Sequence, residues 1–179
     1  MAKVLWILRH AKALEEPPPG GSDRDRLLAP RGEREAAGLG EALRSQHLDV
    51  TVPSSVVTSP AARTRATAER VFGNLTPSIP ISLEHRLYSA TPDDALGIIS
   101  EFPKDTDVVA LVGHNPTVQI LSLDLVKEES GDDAHPGSLR YPPGTLSIVS
   151  LPISSWSDIY WGLGTLELFV QPERSKGSP

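Results

Sequence analysis

A three-layer α/β/α sandwich around a mainly parallel sheet is the fold class this 179-residue sequence predicts, on three observations. Short apolar runs rich in Val, Ile and Leu recur along the chain, as strands buried on both faces require. Segments with helical spacing and helix-start signals separate them through the first two thirds, and parallel crossovers place such helices on both faces of a sheet. Two of the apolar runs also end on a histidine, Val4-Leu5-Trp6-Ile7-Leu8-Arg9-His10 and Val108-Val109-Ala110-Leu111-Val112-Gly113-His114. That is the rim where open α/β sheets put their ligands.

Each element has a local reason. Residues 3–9 form the first strand, with a five-residue apolar run over 4–8. The loop over 11–22 contains Glu15-Glu16-Pro17-Pro18-Pro19-Gly20-Gly21, which cannot continue helix or central strand, and it borders His10. Residues 31–46 carry Ala36, Ala37, Leu39 and Leu43 at helical spacing; Gly38 and Gly40 weaken this helix and allow close packing on the sheet. Residues 54–58 are the second strand. Ser59 reads as an N-cap with Pro60 at the first helical position, opening a helix to about Phe72 that Gly73-Asn74 stops.

Residues 79–83 form a short strand, and Thr91-Pro92-Asp93-Asp94 caps a helix bearing Leu96, Ile98 and Ile99. These aspartates are read as helix-start residues, not catalysts. Residues 108–112 are a strand, after which Asn115 caps and Pro116 opens a helix to about Val126. An acidic, Gly- and Pro-rich connection covers 127–144. Residues 145–151 and 164–170 have strand character and suit antiparallel pairing at one side of the sheet. The length fits one domain over 1–170, with a loose polar tail over 171–179.

Composition narrows the function. Cysteine is absent, which excludes disulfides, thiolate metal sites and cysteine nucleophiles. A net charge of −6 argues against nucleic acid or an anionic membrane as partner, both of which need clustered basic surface. The first apolar run is too short for a signal-peptide core and no stretch approaches the roughly 20 apolar residues of a membrane span, so a cytoplasmic protein is expected. An anionic substrate then requires a local cationic pocket.

Three strand ends supply one. Arg9-His10, Thr58-Ser59-Pro60-Ala61-Ala62-Arg63 and His114-Asn115-Pro116 each lie where a strand gives way to loop or helix, and three parallel strands bring them to one edge together with two helix N-termini. A neutral imidazole attacks phosphorus in line and divides one difficult displacement into two easier ones. His10 is assigned that role, with its other ring nitrogen donating to a carbonyl or carboxylate that fixes the tautomer. Arg9, Arg63 and His114 stabilise the charge spread over the transferred group, and arginine suits this through its planar, always-charged fork.

The same residues carry a family likeness. Leu8-Arg9-His10-Ala11-Lys12, the segment from Asp23 ending Arg26-Leu27-Leu28-Ala29-Pro30-Arg31-Gly32, Ser59-Pro60 with Arg63 and Thr67, Leu87-Tyr88-Ser89-Ala90, and Leu111-Val112-Gly113-His114-Asn115-Pro116 resemble the histidine phosphatase superfamily, most closely its small SixA-type phosphohistidine phosphatases. The match runs in the same order over residues 3–151. It implies a phosphoglycerate mutase-like fold, His10 as nucleophile, a phosphate pocket of Arg9, Arg63 and His114, and no metal or organic cofactor. Ala11 stands where most of the superfamily has glycine, and only Glu84 aligns, loosely, with the proton-donating glutamate of the mutase-like branch.

A phosphohistidine substrate lessens the need for that acid, because a ring protonated on its other nitrogen leaves as neutral imidazole whereas an alkoxide needs a proton. The 50 residues between Arg63 and His114 also leave no room for a large lid, unless 15–22 or 127–144 provides one. The leading function is a phosphatase acting on phosphohistidine in a carrier or signalling protein. A small-molecule phosphoester phosphatase or mutase, and a non-catalytic phosphoprotein-binding module, are the alternatives. His47, His85 and His135 are read as surface residues, Arg65 and Arg70 as a solvated helix face, Arg26 and Arg31 as either pocket rim or solvated charge, and Trp156 and Trp161 as packing residues.

Overall fold

The computed structural model describes residues 2–45, 50–75, 77–126 and 140–172. The strands β1 (Lys3–Arg9), β2 (Ser55–Thr58), β3 (Ile81–Leu83), β4 (Val108–Gly113), β5 (Leu146–Leu151) and β6 (Thr165–Val170) form one sheet in the order β3-β2-β4-β1-β5-β6. β3, β2, β4 and β1 are parallel, while β5 runs antiparallel to β1 and β6 antiparallel to β5. The mainly parallel sheet with its late antiparallel side is thus the expected one.

Side chains leave β1 and β4 alternately toward two apolar clusters, the period-two pattern of a sheet covered on both faces. Leu5, Ile7, Val109 and Leu111 pack with Ile98 and Ile99 of α3 (Pro92–Ser100) and Leu121 of α4 (Thr117–Asp124). Trp6, Leu8, Ala110 and Val112 pack on the other face with Ala36 and Leu43 of α1 (Pro30–Arg44) and Val71 and Phe72 of α2 (Ala62–Phe72). Each large apolar side chain so buried contributes about 1.5–3 kcal/mol against solvent exposure. Trp156 is fully buried in the first cluster, as a packing residue should be, and the half-buried Trp161 packs at its edge.

Some boundaries differ from the sequence reading for identifiable reasons. α1 opens one residue early, with Pro30 in its first turn after Ala29, and its expected end at Gln46 lies outside the described residues. Gly40 does sit at a close approach, but to the backbone of α2 at Arg70 and Val71 instead of the sheet, and Gly38 has open space around it. β3 starts only at Ile81, since Pro80 has no N–H to donate to a ladder. Thr91 caps α3 as predicted, exchanging side-chain and backbone hydrogen bonds with Asp94. His47, His135 and most of the 127–144 connection and the tail lie outside the described residues. Among the described residues no helix is long and apolar enough to cross a membrane.

Candidate active site

Strand register alone brings the two histidines together. Arg9 of β1 is the lateral partner of Gly113 of β4, so His10 and His114, each one residue further on, leave neighbouring parallel strands at the same level. The His10 N–H still donates to Gly113 O at 3.1 Å, and on the other side of β4 the Ser59 N–H donates to Val112 O at 3.0 Å. The imidazole centroids are 5.3 Å apart with the rings tilted by 58°.

His10 is fixed as expected. Its Nδ1 lies 2.8 Å from the carbonyl oxygen of Ala11, which can only accept, so the proton sits on Nδ1 and Nε2 keeps its lone pair. Burial, helped by the nearby His114, Arg63 and Arg9 and opposed by the Ala11 carbonyl, pulls its pKa down to about 3. Burial and the Arg63 guanidinium likewise hold His114 at about 4, with Asp23 acting in the opposite sense. Both rings are neutral at pH 7.

Arg63, in the first turn of α2, is buried, and its two terminal nitrogens donate to the backbone oxygen and Oδ2 of Asp23 at 2.7 and 3.0 Å. Its backbone oxygen accepts from Thr67 Oγ1, which in turn accepts from the Ala11 N–H, so one chain of bonds ties the start of α2 to the backbone beside His10. Arg9 donates through one terminal nitrogen to Tyr141 O at 2.6 Å, placing residues at the end of the 127–144 connection beneath the site. Its Nε and the Nδ1 of His114 are buried with no hydrogen-bond partner in the protein. Two buried polar atoms without partners in one site are costly unless a ligand satisfies them.

Two expected caps are not caps. Ser59 is fully buried and its hydroxyl lies 2.8 Å from His114 Nε2; α2 starts three residues later behind Ala61. The Asn115-Pro116 peptide is cis, α4 opens at Thr117, and the Asn115 side-chain amide donates to Gln119 and to Tyr141 O instead. The cross-strand hydrogen bond that holds Ser59 beside His114 takes it out of the helical path. Neither α2 nor α4 has a side-chain cap; in their first turns the Thr64 N–H donates to Ala61 O and the Val118 N–H to His114 O.

Glu84 caps the helical turn His85–Tyr88, and Arg86 grips its carboxylate with Nε and a terminal nitrogen. That guanidinium holds the Glu84 carboxyl below the ordinary range, so it is ionised and unsuited to donating a proton. Of the two arginines read either way, Arg31 is exposed on α1 and pairs with Glu35, whereas Arg26 pairs with Asp23 beside the pocket. Arg65 and Arg70 are exposed, and exposed His85 meets Arg24. Asp23 and Tyr88 join the site from two segments that carry the family likeness, although the sequence assigns neither a role: a helical turn at Asp23–Asp25 sets Asp23 against Arg63, and the Tyr88 hydroxyl donates to Asp23 Oδ2 at 2.9 Å. The edge-on Tyr88 ring stands 5.8 Å from that of His114. A separate cleft between α3 and α4, lined by Ile120, Leu123 and Trp161, contains none of these groups.

Comparison with known proteins bears on the family and the fold. The family profile described as histidine phosphatase superfamily (branch 1) matches residues 5–91. The uncharacterized protein Rv1276c of Mycobacterium tuberculosis is 31% identical over 168 residues, covering 92% of this chain and 99% of its own. A candidate phosphohistidine phosphatase SixA of Nakamurella multipartitia superposes with a TM-score of 0.81 at 28% identity, over 96% of this chain and 97% of its own. The corresponding SixA candidate of Agrobacterium tumefaciens gives 0.73 at 25% identity, over 97% and 100%.

Proposed function

The chain belongs to the histidine phosphatase superfamily, and from that premise we propose that it is a phosphohistidine phosphatase acting on a phosphorylated carrier or signalling protein in the cytoplasm. The observation that carries this reading is the His10 and His114 pair on adjacent strands, one ring locked with Nε2 unprotonated and the other presenting an unpartnered Nδ1.

In this mechanism His10 Nε2 attacks phosphorus in line, the bond to the leaving nitrogen breaks, and its electron pair departs with the substrate imidazole. Water then attacks the phosphoryl group on His10, the P–Nε2 electron pair returns to the ring, and the proton of the water is released with phosphate. Arg9 Nε, the Arg63 guanidinium and His114 Nδ1 donate to the three equatorial oxygens, where negative charge is greatest in the transition state. Neutral His10 needs no base to become a nucleophile, and ionised Glu84 gives an alcohol no acid to leave with. The described residues between Arg63 and His114 are taken up by α2, β3, a helical turn, α3 and β4, which favours a pocket that a side chain on a protein surface can enter.

Labelled phosphohistidine protein should transfer an acid-labile, base-stable phosphate to the enzyme at His10, and His10→Ala should lose turnover by at least about a thousandfold. Full turnover in that variant, or faster hydrolysis of phosphosugars and phosphoglycerate than of phosphohistidine, defeats the reading. Saturable binding of phosphohistidine peptide with no phosphate release points instead to a binding module.

A further inference from the structure

The floor of the site is cationic, yet its mouth carries an anion. Arg63 is 8% exposed and Asp23 55% exposed, so the guanidinium lies inside and the carboxylate stands at the entrance. Three groups hold it there. Arg63 and the Tyr88 hydroxyl share Oδ2 at 3.0 and 2.9 Å, and Arg26 donates to Oδ1 at 2.9 Å. Arg26 is itself anchored by Nε to Leu14 O at 2.7 Å. A carboxylate beside a phosphate pocket repels a dianionic substrate, and so many fixed partners argue for a use that offsets this.

Resting on the phosphohistidine reading, we propose that Asp23 is the residue that selects a nitrogen leaving group: its carboxylate accepts a hydrogen bond from the non-phosphorylated ring N–H of the incoming phosphoimidazole. In-line attack puts the departing group on the side of the phosphate opposite His10 Nε2, and the proposal seats it against Asp23, which is bonded to Arg63 and Tyr88, with the Tyr88 ring beside His114. An anion there favours the imidazolium form of the substrate over the neutral form. When the P–N bond breaks, the electron pair goes to the ring nitrogen and cancels the imidazolium charge. The N–H proton stays on the ring, and neutral imidazole leaves with no acid from the enzyme. Held well below the ordinary range by its hydrogen bonds from Arg26, Tyr88 and Arg63, Asp23 stays ionised and gives a departing alkoxide no proton. One carboxylate therefore helps phosphoramidate cleavage and works against phosphoesters.

The test compares Asp23→Asn with wild type on N-phosphoimidazole and on p-nitrophenyl phosphate, whose leaving group needs no acid. We expect kcat/KM on phosphoimidazole to fall between about tenfold and a hundredfold, the worth of a hydrogen bond to a charged group. The nitrophenyl ester, relieved of the repelling carboxylate, should hold its rate or gain instead of falling with it, and the alkaline limb of kcat on phosphoimidazole should move to lower pH. Tyr88→Phe, which removes one support of the carboxylate, should give a smaller loss of the same selectivity. Equal losses on both substrates would mean that Asp23 only positions Arg63, and no loss would mean that it does neither; either result overturns the inference while wild-type preference for phosphohistidine still stands. Wild type that hydrolyses the ester but not phosphoimidazole or phosphohistidine protein overturns both.

Discussion

A serine directly after a buried strand can cap the helix that follows or bond across to the next strand, and Ser59 does the second. Its hydroxyl proton can rotate toward His114 Nε2, which leaves the single proton of a neutral ring on Nδ1, the nitrogen without a partner. Ser59→Ala removes that bond and lets the tautomer relax. We expect kcat to fall by about tenfold with KM little changed, since the bond matters most as charge develops on the phosphoryl oxygens. A Ser59→Thr variant that keeps the hydroxyl should recover most of the rate, and an Ala variant with full kcat would remove Ser59 from the site. Serine before proline is the strongest local sign of a helix start, which is why the sequence points to a cap. The competing bond is to a residue 55 positions away and leaves no local trace. His10, Arg9, Arg63 and His114 were legible for the opposite reason, since each stands where a strand ends or the following helix begins. Asp23 and Tyr88 reach the site from turns outside the sheet, where spacing carries no information and only the family likeness marks their segments.

Among the elements, α1 has a glycine that holds the site and another that does not. A Cβ on Gly32 would overlap the backbone of Lys12, next to the Ala11 carbonyl that fixes the His10 tautomer. Gly38 is exposed in the middle of the same helix with nothing within 4 Å of a Cβ. Gly32→Ala must therefore displace backbone and should destabilise by about 1–3 kcal/mol, the usual range for overpacking. Because Lys12 lies two residues beyond His10, the proposed nucleophile, activity should drop as well. Gly38→Ala only reduces unfolded-chain entropy at an open helical position and should stabilise by about 0.5–1 kcal/mol with activity intact. Urea denaturation of the two variants checks both signs, and similar stabilities would contradict the contact of α1 with the strand end. The helix itself was readable from Ala36, Leu39 and Leu43, but which of its glycines meets backbone depends on the neighbour that tertiary packing supplies.

At the scale of the whole molecule, a sheet that half-buries two histidines at one rim makes stability depend on pH. An unfolded histidine titrates near 6.5, while His10 and His114 in the fold titrate at about 3 and about 4. Between those values and about pH 6.5 the unfolded chain binds protons that the native state refuses, so unfolding free energy rises with pH. Stability is thus fully present above about pH 6.5 and is lost as pH falls, each histidine adding a slope of at most about 1.4 kcal/mol per pH unit. Carboxylates whose pKa the fold lowers, such as Asp23 and Glu84, add a second loss, but only as pH falls below their unfolded values near 4. The window from about pH 6.5 to 5 therefore reports the histidines alone. Urea midpoints for wild type should decline steadily through it, and a His10→Asn, His114→Asn double variant should be nearly flat there while keeping the later acid loss. A wild-type midpoint that stays constant from pH 7 to 5 would mean that both rings protonate without penalty. Neither could then occupy the low-dielectric rim that the proposed unprotonated nucleophile requires.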